Sequence, residues 1–272
     1  MKKILVPTDF SPASRNACKY AALLAQAFGA EIHLLHVYKD LIPATVGPEP
    51  WSHKLSEVLT RNETLINKEV KFLEAEYSIP VNGEARKGFK GITINRIARE
   101  MEADLIVLGM KSHHENKMAG NTVFKTVLNT NIPVLVIPEN AGYAAIRNIV
   151  LAVDFSKITD SSRFDPLFKI VRSFDASLRV LHIEKKGGGI IEAELPGKLQ
   201  LGRVLSKVTY WYDKVEYDDV EGGIQHFIQN HPTDMLVMVA YHHSIFEQII
   251  GSAHTLSISF DIKLPLLILK NK

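Results

Sequence analysis

Two features of this chain combine residue types and spacing that could do chemistry. One is a carboxylate, Asp9, at the end of the apolar run Lys3-Ile4-Leu5-Val6-Pro7-Thr8. The other is a pair of glycines around a loop: Gly109 closes Asp104-Leu105-Ile106-Val107-Leu108, and Gly120-Asn121-Thr122 opens a helical pattern that runs to Asn129. Apolar, largely β-branched runs of this length read as strands buried on both faces. A strand, a glycine-bounded loop and a helix start together frame an anion site the size of a phosphate. The helix supplies backbone N–H groups and the positive end of its dipole, and glycine lets a ligand approach the backbone with no Cβ in the way. The same residues also make an ordinary strand-to-helix loop with two turn glycines and no ligand, and Asp9 is equally a loop or cap residue.

The surrounding elements place these residues. Ser11 reads as an N-cap with Pro12 at the first helical position, where its missing N–H costs nothing. Ala17, Tyr20, Ala21, Leu24, Ala27 and Phe28 recur at helical spacing until Gly29. Glu31 to Tyr38 is a second strand carrying His33 and His36, and a long helix is expected over 52–77 after a Pro- and Gly-rich loop. A third strand over 79–85, a helix over 92–102, the strand ending at Gly109, a helix to Asn129 and a strand over 133–137 follow. Alternation of this kind predicts a parallel sheet with helices on both faces and right-handed crossovers.

After a short hinge, Pro138 to Ala145, the pattern restarts. Asn148-Ile149-Val150-Leu151-Ala152-Val153-Asp154-Phe155-Ser156 restates residues 3–11 at an offset of 145. Leu181-His182-Ile183 restates Leu35-His36-Val37, Asp234-Met235-Leu236-Val237-Met238 restates residues 104–108, and Leu264-Pro265-Leu266-Leu267-Ile268 restates Ile132-Pro133-Val134-Leu135-Val136. Landmarks kept in order at near-constant offset mark a tandem duplication, with domains expected at 1–140 and 146–272. The second copy is shorter in its middle, where Lys185-Lys186-Gly187-Gly188-Gly189 reads as a surface loop before a helix over 191–207.

Composition narrows the function. Net charge is +2, from 32 basic and 30 acidic residues without long runs, which argues against a dedicated nucleic-acid binder. The single cysteine, Cys18, forms no internal disulfide and suits helix packing. There is no signal-peptide pattern and no apolar run long enough to span a membrane, so a cytoplasmic protein is expected. His113-His114 and His242-His243 recur at matching positions, as do His36 and His182. They lack the i, i+4 spacing of a metal helix, and a solvated loop is expected for the pairs in place of a metal site. The P-loop, the G-x-S-x-G elbow, the G-x-G-x-x-G fingerprint and the H-x-G-H and S-G-G-x-D-S adenylating motifs are absent. In an open α/β sheet, ligands sit past the carboxyl ends of strands where strand order reverses. With the order 3-2-1-4-5, Asp9 and Gly109 meet in one crevice, Asp9 facing an adenine amine or a ribose and the 109–122 loop facing phosphates.

Val6-Pro7-Thr8-Asp9-Phe10-Ser11, Leu35-His36-Val37, Asp104 to Gly109 and Ile132 to Val136, each with its second-copy counterpart, resemble the universal stress protein family over nearly the whole chain. The resemblance implies an α/β fold of two tandem domains, each a five-stranded parallel sheet of order 3-2-1-4-5 with helices on both faces, similar to the adenine nucleotide alpha hydrolases. One branch of the family binds ATP or AMP through a loop of the form Gly, two residues, Gly, nine residues, Gly, then Ser or Thr. Gly109 matches its first glycine. Ser112 stands at the second, Gly120 falls two residues early, and Asn121 precedes Thr122. By this resemblance Asp9 and Val37 flank adenine and ribose, while Leu108, Gly109, Ser112, Gly120, Asn121 and Thr122 line the ribose and phosphates. In the second copy Asp154 and Ile183 remain, Val239-Ala240 replaces the first glycine, His242-His243 occupies the second glycine's region, and only Gly251-Ser252 keeps the motif's end. A degenerate second site is expected.

The resulting expectation is a non-catalytic stress-response module that binds ATP or AMP, with or without Mg²⁺, in its first domain. Protein partners are unidentified, and neither nucleic acid nor a membrane is expected as one. The alternatives are an interaction scaffold without nucleotide binding and a weak Mg²⁺-dependent ATP hydrolase with Asp9 holding the metal. In the family the fifth strands pair across a two-fold axis, and Val134-Leu135-Val136-Ile137 and Leu266-Leu267-Ile268-Leu269 are apolar enough to do this within one chain as a pseudo-dimer; a homodimer of such chains is a further expectation.

Overall fold

A computed structural model describes residues 1–39, 51–111, 120–142, 145–155, 164–185, 195–240 and 263–270. The first half runs β1 (Lys3–Pro7), α1 (Pro12–Phe28), β2 (Glu31–Tyr38), α2 (Trp51–Tyr77), β3 (Val81–Lys87), α3 (Lys90–Glu100), β4 (Leu105–Met110), α4 (Gly120–Leu128) and β5 (Val134–Pro138). The second runs β6 (Asn148–Ala152), α5 (Asp165–Ser173), β7 (Ser177–Lys185), α6 (Leu195–Leu205), β8 (Tyr210–Tyr217), α7 (Val220–Asn230), β9 (Met235–Ala240) and β10 (Leu266–Lys270).

The local chemistry of α1 matches its sequence. Ser11 is the N-cap in extended conformation and its side chain accepts from the Ser14 N–H; Pro12 follows. Gly29 ends the helix in the left-handed region, φ 60°, and its N–H bonds the Ala25 carbonyl. The start of α3 differs from the sequence expectation: the helix begins at Lys90 instead of Ile92. Its N-cap is Phe89, which has no side-chain acceptor, so the start carries none of the polar signature that marks α1.

The strands form one ten-stranded sheet in the order β3-β2-β1-β4-β5-β10-β9-β6-β7-β8. All neighbours are parallel except β5 and β10, which pair antiparallel with Leu266 opposite Val136, Leu267 opposite Leu135 and Ile268 opposite Val134. Each half thus has the order 3-2-1-4-5, and the two last strands join the halves. One apolar core, from Ile4 and Val6 through Leu267 and Leu269 to Ile149 and Leu151, lies under α1, α2, α5 and α6. The other, from Leu5 and Ile106 through Val134 and Ile268 to Val150 and Leu236, lies under α3, α4 and α7. Both cross the seam, so the halves bury their edge strands against each other.

Two polar devices fix this frame. The Asp104 carboxylate accepts from the Lys2 and Lys3 N–H groups at 2.5 and 3.1 Å, and Asp234 accepts from Arg147 and Asn148 at 2.9 and 2.8 Å. The repeated aspartate pins the register of the first and fourth strands of each half at the end away from the crevice. The second device holds the connection between halves. Asn16 Nδ2 on α1 donates to the Pro138, Glu139 and Ala141 carbonyls at 3.0, 3.3 and 3.0 Å, and the Tyr20 hydroxyl donates to Gly142. The segment expected as a hinge is strapped to α1 over residues 138–142.

Candidate functional site

Past the carboxyl ends of β1, β2 and β4 lies a cleft of about 270 Å³. Asp9, Val37, Leu108, Gly109 and Thr122, all singled out from the sequence, share its lining. Leu35, Val37, Ile94, Leu108 and Val123 supply apolar walls, and Thr8, Asp9, Ser11, Ser14, Lys90, Lys111 and Thr122 supply the polar groups. Gly120 starts α4, and Asn121 lies in its first turn. Ser112 and the paired histidines 113–114 and 242–243 lie outside the described residues.

Strand β1 delivers Thr8 and Asp9 to the cleft, and the cap of α1 then organises them. Asp9 Oδ1 accepts from the Ser11 N–H at 3.2 Å and the Ser11 hydroxyl at 2.5 Å. Buried Thr8 donates to Ser14 Oγ at 3.2 Å and accepts from the Phe10 N–H at 3.1 Å. Phe10 sits in the left-handed region at φ 62°, an uncommon conformation for an aromatic residue. Its ring packs 4.7 Å from that of His36, whose Nδ1–H donates to the Thr8 carbonyl at 2.8 Å. Phe155 and His182 repeat the pair at 4.7 Å, with His182 Nδ1 3.3 Å from the Val153 carbonyl. These recurring histidines tie the second strand of each half to the first.

Lys90 Nζ stands 3.8 Å from Asp9 Oδ2, opposite the edge held by Ser11. Burial alone would raise the Asp9 carboxyl. The two hydrogen bonds from Ser11 and the charges of Lys90 and Lys111 outweigh it and hold the group below its ordinary value. Asp9 is therefore a carboxylate at neutral pH. Sequence reading missed both lysines: Lys90 because the start of α3 carries no cap signature, Lys111 because it follows the motif glycine as an isolated charge.

Gly109 has a different physical basis from the one its motif suggests. A Cβ there would lie 2.3 Å from the Ala13 carbonyl oxygen and 2.7 Å from the Ser14 nitrogen. The missing side chain makes room for the first turn of α1, which lies across β4 at this point. Close approach by a ligand is not what excludes a Cβ here. Glycine at 109 thus brings the α1 N-terminus, with Ser11 and Ser14, up to the cleft.

Residues 1–138 match the sequence profile of the universal stress protein family, half of the chain. The chain belongs to the universal stress protein family. A universal stress protein of Methanocaldococcus jannaschii is 33% identical over 141 residues, 51% of this chain and 82% of that protein. The crystal structure of a universal stress protein from Archaeoglobus fulgidus superposes with a TM-score of 0.75 at 16% identity, covering 98% of both chains. A functionally unknown protein from Pseudomonas aeruginosa superposes with a TM-score of 0.59 at 15% identity, covering 99% of this chain and 92% of that one. At these identities the two structures speak for the fold.

The second half of the chain builds the corresponding place differently. Val239, at the position of Gly109, is buried in the core under α5 and α6. Its side chain occupies the direction in which a Cβ at Gly109 would strike α1. Helix α6 comes so close to the end of β6 that a Cβ at Gly197 would fall 1.7 Å from the Phe155 carbonyl oxygen. Asp154 and buried Ile183 keep the positions of Asp9 and Val37. The frame is shared between the halves, and the way the helices approach the crevice is not.

Proposed function

We propose that this universal stress protein comprises two domains, 1–140 and 146–272, and that the first binds an adenine nucleotide, AMP or ATP, as a regulatory signal. The observation that carries the reading is the convergence of Asp9, Val37, Leu108, Gly109 and Thr122 on one cleft lined by both apolar and polar side chains. Val37, Leu108 and Ile94 offer a flat apolar slot for a purine. Asp9 offers its Oδ2 edge to an amine or a hydroxyl. Thr122, with Gly120 and Asn121 in the first turn of α4, faces the phosphates, where the helix dipole favours negative charge.

The protein acts in this reading by binding and not by turnover. Among the described lining residues Asp9 is the one carboxylate, and its Oδ1 is engaged by Ser11. A Mg²⁺ arriving with ATP would find, among the described lining residues, a single carboxylate and no further acid or histidine to orient a water. That weighs against the hydrolase reading. The scaffold reading draws support from the second half, where Val239 stands in place of the glycine. The second domain is assigned a structural part: it supplies β10 and covers β5.

The test is isothermal titration of the purified protein with AMP and with ATP, alongside Asp9→Asn and Asp9→Ala. Asn keeps an acceptor for Ser11 and so preserves the start of α1. Binding by the wild type that weakens about tenfold or more in both variants supports the reading. A wild type that binds neither nucleotide, and releases none on denaturation, leaves the scaffold.

A further inference from the structure

The corresponding helices α3 and α7 start with opposite charge, Lys90 on one and Asp219 and Glu221 on the other. Ile94 and Ile224 occupy the same face of α3 and α7 in one core, and on that register Phe89, Lys90 and Gly91 correspond to Asp219, Val220 and Glu221. Helix α7 is capped, with Asp219 Oδ1 accepting from the Gly222 N–H at 2.8 Å, and burial together with Asp219 holds the Glu221 carboxyl above its ordinary value. Helix α3 has no side-chain cap and presents Lys90. The residue two beyond Gly109 is Lys111, and its counterpart beyond Val239 is Tyr241. The crevice with the open approach thus has a lysine on each wall, Lys90 from α3 and Lys111 after β4. At the corresponding positions the second half has Val220 and Tyr241.

We propose that Lys90 and Lys111 make the first-domain cleft select phosphorylated over unphosphorylated nucleosides. This rests on the adenine-nucleotide reading above and assigns the recognition of phosphate charge to two lysines, Lys90 on α3 and Lys111 between Gly109 and Ser112, and not to the motif's glycines. Without a ligand, Lys90 leans toward Asp9 at 3.8 Å, and both groups keep contact with water. A bound nucleotide engages Asp9 through its base or ribose, and the ammonium groups then face the phosphate as point charges. Lysine suits this role because its stem is long and its charge compact, so it can turn from Asp9 to a ligand with little strain.

The test is titration of AMP and of adenosine into wild type, Lys90→Gln, Lys111→Gln and Lys90→Arg. The wild type is expected to favour AMP over adenosine by about tenfold or more. Each Gln variant is expected to lose about tenfold in AMP affinity, with adenosine unchanged within about twofold, and Lys90→Arg is expected to retain most AMP affinity. Both lysines are exposed, so thermal melts are expected to show the variants folded. AMP binding that is unchanged in both Gln variants, or lost in parallel with adenosine, overturns this inference and leaves the nucleotide reading standing. A wild type that binds neither ligand overturns both.

Discussion

At the scale of single residues, two positions make sharp demands. Gly109 has no room for a Cβ beside Ala13 and Ser14. Gly109→Ala is expected to cost about 3 kcal/mol or more in urea unfolding without ligand, because backbone must yield on one side or the other. A cost below about 1 kcal/mol would show that the start of α1 gives way easily. Lys270 is the second. Its ammonium donates to the Val127 carbonyl, and burial pushes its pKa down to about 8 from an ordinary 10.5. Between those values the unfolded chain binds more protons than the folded one, so this group makes stability rise with pH from about 8 to 10.5. Lys270→Met is expected to flatten that rise in unfolding curves measured at pH 7.5 and pH 10; identical pH dependence in both proteins contradicts the burial argument. Asp9 and Gly109 were legible as residues that line the cleft because each ends an apolar run. Lys90 and Lys111 were not, because an isolated lysine has no pattern until the fold brings it to a crevice.

At the scale of elements, what was legible is what periodicity and capping encode. The strands at β2 and β4 and the helix α1 stand where alternation, N-cap and glycine stop place them. Helix α3 starts early because Phe89 leaves no trace as a cap, and the segment after Pro138 reads as a hinge until Asn16 is seen to hold three of its carbonyls. Asn16→Ala is expected to destabilise the fold by about 1–3 kcal/mol, because the Glu139 and Ala141 carbonyls lose the Asn16 amide as donor and Pro138 keeps only the Ala141 N–H. Nuclear magnetic resonance or hydrogen exchange over residues 138–142 locates the effect, and unchanged protection there contradicts the strap. Two helix ends carry a known cost. Ser78 after α2 and Glu102 after α3 adopt φ values of 52° and 54° that glycine takes without strain. Ser78→Gly and Glu102→Gly are each expected to stabilise by about 0.5–1 kcal/mol in chemical denaturation. A loss of stability in both shows that the side chains offset the backbone strain.

At the scale of the molecule, the duplication folds as one sheet. The repeat was readable because four landmarks recur in order, and the seam was readable because the last strand of each copy is apolar along its length. What the sequence could not show is that the two cores continue across that seam, since the contacts join residues more than a hundred positions apart. Removing the second domain bares β5, a fully apolar edge. Residues 1–140 alone are therefore expected to self-associate through β5, read as a dimer by light scattering, or to aggregate. A stable monomer contradicts the view that β10 serves chiefly to cover that edge. The asymmetry of the crevices belongs to this scale too: one half keeps the approach of α1 over a glycine, and the other fills it with Val239.

The measurement that bears most directly on the central claim is a thermal melt of the intact chain with and without AMP or ATP, repeated for Asp9→Asn and Asp154→Asn. A ligand at about a hundredfold over its dissociation constant adds roughly 2.7 kcal/mol, about 5–10 °C for domains of this size. The account predicts that shift in the wild type and in Asp154→Asn, and its loss in Asp9→Asn. No shift in the wild type, or a shift that survives Asp9→Asn and disappears with Asp154→Asn, would contradict a nucleotide site in the first domain.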